Sequence, residues 1–189
     1  MARDWRTWGL LTALALVLAL LFAWAAMNDR KLWALLVGVP YFKPGSDAYK
    51  QLMTRAAQVA GLPADWVDSN GLKQVFDIES KGFVGVPNYE WNKVYGANFS
   101  SGKNAAAWPA YWRQWRKGIF PPAGSVPGFS SRASGLGQLQ PDNMLKYYPQ
   151  GYKSIGIPVD EAVGMLRYIA DRYGDPEAAW THHQLHGTY

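Results

Sequence analysis

Hydrophobic residues recur along this chain in two ways, continuously at the start and at helical spacing afterwards. From Trp8 to Met27 there is no charged residue, and Leu and Ala dominate. About twenty such residues suffice for a helix to cross roughly 30 Å of hydrocarbon. A second apolar stretch, Leu32 to Phe42, either extends that helix or lies in a membrane interface. Beyond Pro44-Gly45-Ser46 the pattern becomes amphipathic. Leu52, Ala56, Val59 and Ala60 predict one stripe, with Ser46 or Asp47 as N-cap and Gly61 as the end. Leu72, Val75, Phe76 and Glu79 share the face of a second helix, its start weakened by Asn70-Gly71. Trp108, Trp112 and Trp115 fall on one face of a short helix between Asn104 and Lys117. Asp160 caps a helix whose apolar positions include Val163, Leu166, Ile169, Ala170 and Tyr173, and Gly174 terminates it. Asp175-Pro176 restarts as N-cap and first-turn proline, and the last helix runs through Trp180 toward His186. No run alternates at period two and no repeat is visible, so the fold class expected is all-α or mainly α.

One position breaks the pattern. Glu79 occupies a place that the spacing assigns to the core side of its helix, while Lys73, Gln74 and Asp77 point elsewhere. Gly82 sits where a left-handed C-terminal residue belongs, so Glu79 lies in the last turn. The negative end of the helix dipole disfavours a second negative charge there. Desolvation by Phe76, Ile78 and Phe83 acts in the same direction. Both effects raise the pKa, as a general acid working near neutral pH requires. The competing reading is a partly exposed Glu paired with Lys73 or Lys81.

Downstream lies a Gly-punctuated loop, Ser134-Gly135-Leu136-Gly137-Gln138-Leu139-Gln140, running into a helix begun by Pro141. Its glycines permit close backbone approach to a ligand, and the Gln138 amide both donates and accepts, as an N-acetyl sugar requires. Ser80 and Ser134 are further hydrogen-bonding candidates.

Taken in order, Glu79-Ser80-Lys81-Gly82, the Gly135-Leu136-Gly137-Gln138 loop and Tyr173-Gly174-Asp175-Pro176 resemble the lysozyme-like lytic transglycosylases, the superfamily that includes goose-type lysozyme. The likeness covers roughly Leu72 to Tyr189. It implies a lysozyme-like fold and cleavage of peptidoglycan glycan strands by one catalytic Glu, here Glu79. It also implies substrate contacts from Ser80, Ser134, Gly135, Leu136 and Gln138. Many soluble members carry a Tyr-Asn pair in the last helix. Here the matching stretch is Thr181-His182-His183-Gln184, with His183 nearest the Tyr and Gln184 nearest the Asn. The ending Gly187-Thr188-Tyr189 resembles lysozyme-like domains of phage tail proteins and suggests Tyr189 as an aromatic group near the cleft. The departure keeps a second class open, an inactive lysozyme-like structural or scaffolding membrane protein. A hydrolytic muramidase is a further alternative. A two-carboxylate glycosidase would need a partner acid, with Asp77 and Glu90 nearest in sequence.

Composition changes the picture little. The 189 residues suggest an anchor and linker at 1–45 and one domain at 46–189, with an aromatic-rich insertion at about 84–132. Trp108, Trp112 and Trp115 within it form either a glycan-stacking wall or the packing of the insertion onto the domain, and a Trp stripe is usually buried. Net charge +5 suits anionic cell-wall and membrane surfaces. No Lys/Arg block or zinc spacing points to nucleic acid. There is no Cys, and no cofactor is expected. His182 and His186 are four apart, but no Glu follows His182 as in zinc proteases, so no metal is expected either. Trp5, Trp8, Trp24 and Trp33 flank the apolar span as an aromatic belt does. The span reads as a retained membrane helix, against a signal peptide cleaved at Ala23-Trp24-Ala25 or an escaping anchor like that of some phage endolysins. Function places the domain on the periplasmic or cell-wall side. The expected setting is a phage particle protein that opens the wall during genome entry, with other ejection or envelope proteins as partners. A bacterial secretion or conjugation transglycosylase is the rival.

Overall fold

A computed structural model describes residues 38–88, 105, 108–120 and 131–188. The apolar span 8–27, Glu90, the connection 121–130 and Tyr189 lie outside the described residues. Among the described residues the fold is helical, with no strand and no helix long and apolar enough to cross a membrane.

Helix α1, Asp47–Ala60, begins where Ser46 Oγ accepts the Tyr49 N–H at 3.2 Å and ends at a left-handed Gly61. Its buried stripe is Tyr49, Leu52, Met53, Ala56 and Ala57. Val59 is 42% exposed, so the stripe is turned from the expected one. Helix α1 packs against α5, Pro158–Tyr173, and Met53 and Ala57 join the same core cluster as Ala162, Val163 and Leu166.

Helix α2, Asn70–Ser80, is capped by Ser69, whose Oγ accepts the Leu72 N–H at 3.0 Å. Gly71 does more than weaken this start. A β-carbon there would run into the Pro176 carbonyl, so Gly71 lets α2 meet α6, Pro176–His186, at van der Waals distance. Glu177 Oε1 fastens the crossing by accepting the Gly71 N–H at 2.8 Å and the Ser69 hydroxyl at 2.9 Å. At the other end Lys81, not Gly82, takes the left-handed C-cap position (φ 53°). Gly82 follows at φ 82° and donates its N–H to Ser80 Oγ. The reason is the next crossing: the Phe42 N–H bonds the Gly82 carbonyl at 2.9 Å, and Phe42 O fills the space a side chain would need. The residues just before α1 thus belong to the domain. Val39 is fully buried, Tyr41 bridges Phe83, and the Val84 N–H bonds the Pro40 carbonyl at 3.0 Å.

Helix α3, Trp108–Trp115, is shorter than expected, and Trp108, Trp112 and Trp115 are all buried. The Trp112 indole donates to the Gly85 carbonyl at 2.9 Å, and Trp115 stacks between Tyr111 and Phe120. These rings pack an aromatic core, and the glycan-stacking wall is not among their roles. Each such side chain contributes on the order of 1.5–3 kcal/mol by leaving water.

Helix α4 is Pro141–Tyr147. Helix α5 starts with Pro158 in its first turn, flanked by Ile157, so Asp160 is not its cap. A proline costs nothing there, because the first-turn N–H groups have no helical partner. Asp160 instead accepts the Ser154 hydroxyl at 2.8 Å and the Gln150 amide at 3.2 Å. Asp175 caps α6 as expected, accepting the Ala178 N–H at 2.8 Å.

Candidate active site

The end of α2, the Gly-rich loop and the C-terminal half of α6 enclose a cleft of about 590 Å³. Glu79, Gln138 and His183 all line it, with Asn88, Asn143 and Tyr168 contributing to the walls. Leu72, Val75 and Phe76 on the same face of α2 are fully buried, which draws the Glu79 side chain in until 17% of it is exposed. Burial pushes its pKa from 4.5 up to about 7. Ile78, which the periodicity offered as a further desolvating group, is 42% exposed and lies on the cleft wall. Neither expected lysine partner reaches the acid. Lys73 bonds the Asp68 carbonyl, and Lys81 pairs with Asp77 at 3.4 Å. Asp77 does not line the cleft.

His183 faces the acid, Nδ1 standing 4.0 Å from Glu79 Oε1, and its side chain is 14% exposed. Its ring stacks on Trp180 at 5.5 Å. Burial first, and then the neighbouring His182, hold its pKa below the usual histidine value. The pair is thus driven toward a protonated carboxyl and a neutral imidazole.

The expected substrate contacts of the loop are placed differently. Ser80 is buried; its hydroxyl donates to the Phe76 carbonyl at 2.9 Å and accepts the Gly82 N–H at 3.1 Å, so it closes the helix end instead of facing the cleft. Ser134 is fully buried and exchanges backbone bonds with Leu139, each at 3.1 Å; its Oγ has no hydrogen-bond partner among the described residues. Leu136 is a core side chain. Gly135, at φ 82°, is required from below: a β-carbon would stand 2.7 Å from Tyr148 Oη and 2.9 Å from the Glu161 carboxylate. The loop glycine thus serves a close internal approach. Gln138 does reach the cleft, but both donors of its amide are engaged, with Val86 O at 2.9 Å and Gly135 O at 3.1 Å. Its Oε1 accepts the Asn88 amide at 3.2 Å and keeps capacity for one more donor. Tyr189 lies outside the described residues.

Glu161 is the residue that the pattern reading passed over. It is fully buried beneath the loop. Its Oε2 accepts the N–H groups of Gly85 (2.9 Å) and Leu136 (3.0 Å), and its Oε1 that of Gly156 (2.6 Å). Burial raises its pKa from 4.5 to about 7 against the pull of those three donors and of Arg116. The signal was present: like Glu79, it sits at helical spacing from apolar residues, here Met165 and Tyr168.

Among the described residues, no group of three His, Asp or Glu side chains could hold a metal ion. Compared with protein families, curated proteins and solved structures, the chain matches none.

Proposed function

We propose that this chain is a lysozyme-like peptidoglycan lytic transglycosylase and that Glu79 is its single acid and base. The observation that carries the reading is one carboxyl group, 17% exposed and with its pKa raised to about 7, lining a cleft of glycan-binding size with no Lys or Arg bonded to it among the described residues. Such a group holds its proton near neutral pH and can give it up to a leaving oxygen. Glu79 protonates the glycosidic oxygen between N-acetylmuramic acid and N-acetylglucosamine. The bond from the anomeric carbon to that oxygen breaks, and the substrate's N-acetyl group stabilises the positive charge. Glu79, now a carboxylate, takes the proton of the muramyl 6-hydroxyl as that oxygen bonds the anomeric carbon. The product is a 1,6-anhydro ring, no water is consumed, and the acid is regenerated. The chemistry needs no cofactor. Asn88, Asn143 and the remaining lone pair of Gln138 supply polar groups for the sugar, and His183 limits water at the acid.

The apolar span Trp8–Met27 serves in this reading as a retained membrane anchor that holds the domain against the wall. The setting that joins an anchor to a wall-cutting domain is a phage particle protein acting during genome entry.

Mass spectrometry of muropeptides released from purified peptidoglycan tests the reading. Anhydromuramyl products are expected. Reducing-end products would make the chain a hydrolytic muramidase, and no release would make it an inactive scaffold.

A further inference from the structure

One side of the cleft is built from two stretches of chain bonded to each other, the Gly135 N–H meeting the Val86 carbonyl and the Asn88 N–H the Ala133 carbonyl, each at 2.9 Å. One is the segment after α2, with Val86, Pro87 and Asn88; the other is the Gly-rich loop from Gly137 to Gln140. Glu161 does not line the cleft, yet it is joined to the backbone behind both stretches. Its Oε2 takes the N–H of Gly85, immediately before Val86, and the N–H of Leu136, immediately before Gly137. Through Oε1 it takes the N–H of Gly156, in the turn that leads into its own helix. Two of these partners are glycines in the left-handed region, Gly85 at φ 65° and Gly156 at φ 78°. Gly135 has no room for a side chain over the carboxylate.

We infer that Glu161 is a positioning residue of the cleft, a buried carboxylate whose ionised form fixes this joined wall to α5, and thereby sets the pose of the sugar at Glu79. The inference rests on the reading of Glu79 as the acid. An ionised carboxylate accepts from all three N–H groups at once; a proton on Oε1 opposes the 2.6 Å bond from Gly156. The titratable and charged groups facing it are the Tyr148 hydroxyl, buried and raised well above its ordinary pKa, and Arg116, which is held by the Ile155 carbonyl at 2.7 Å. Turnover then requires two acids in opposite states. Glu161 must have lost its proton, and Glu79 must still hold its own.

The test is the pH profile of muropeptide release by the full-length chain in detergent, wild type against Glu161→Gln. A misplaced wall degrades the reacting geometry more than the affinity. In Glu161→Gln, kcat is expected to fall about 10- to 100-fold with KM within about threefold. The acidic limb should vanish, because Gln does not titrate, while the alkaline limb of Glu79 stays. An unchanged acidic limb, or a loss confined to KM, overturns the inference while leaving the Glu79 reading intact. A wild-type chain that releases nothing overturns the Glu79 reading and this one together. Because Glu161→Gln is a core substitution, a second measurement uses the Glu79→Gln chain. The amide resonances of Gly85, Leu136 and Gly156 should move with pH in one shared titration. Separate titrations, or none, overturn the inference whether or not Glu161→Gln folds.

Discussion

His183 Nδ1 lies 4.0 Å from Glu79 Oε1, at the edge of ion-pair range and beyond a hydrogen bond. Burial acts on the two in opposite senses, raising the acid to about 7 and lowering the imidazole. Each disfavours the charge that would bind the other, so near neutral pH they meet as neutral groups. In the proposed function the imidazole serves as a wall that keeps water from the carboxyl. In His183→Ala that wall is lost. The alkaline limb of activity is expected to move to lower pH by about 0.5–1 unit, since desolvation is what raises the acid. A pH-rate profile reads this directly, and an unmoved limb would remove His183 from the electrostatics of the site.

Glu79→Gln should abolish muropeptide release with the fold intact. It should also stabilise the protein at alkaline pH. The folded-state pKa of Glu79 is raised from 4.5 to about 7. Its contribution to stability is therefore complete below about 4.5 and is lost as pH rises through about 7. Gln carries no such dependence. Tm of the variant should match wild type near pH 4.5 and exceed it at pH 8, by the equivalent of about 3 kcal/mol at most. Thermal melts at the two pH values check the sign.

Gln138→Ala tests a brace. Its amide joins Val86 O, Gly135 O and Asn88, so removal should cost about 1–3 kcal/mol in stability. Activity should fall mainly because the cleft deforms. An unaltered Tm with a clear loss of turnover would restore the view of Gln138 as chiefly a substrate contact.

Gly135→Ala should be clearly destabilising. It places a β-carbon at φ 82° and 2.7 Å from Tyr148 Oη, so a loss of about 2–4 kcal/mol is expected. Denaturant unfolding measures it.

If the proposed anchor at 8–27 holds, full-length protein partitions with membranes. A chain beginning at Gly38 should remain soluble and folded, whereas one beginning at Ser46 should melt lower. The difference comes from Val39, Pro40 and Phe42, which are bonded to or buried against residues 82–84. Sedimentation and thermal melts of the three chains decide this.

Local information determined much of this protein. Ser46, Gly61, Asp175 and Pro176 mark helix ends through bonds that reach only three or four residues, so their roles could be read along the chain. The acid at 79 was legible for the same reason, because helical periodicity alone puts it beside Leu72, Val75 and Phe76. Tertiary structure decided the rest, since it turns on contacts between residues far apart in sequence. Gly71 is small because α6 crosses it, and Ser69 is tied to Glu177 across 108 positions. Gly135 is small because of Glu161 and Tyr148, and the donors of Gln138 are committed to backbone 52 and 3 positions away. The Trp face of α3 is buried as its spacing predicts, whereas the stripe of α1 was visible as a face but which residues it would bury depended on the neighbour. A periodic pattern specifies a surface to be covered; only the packed fold supplies what covers it.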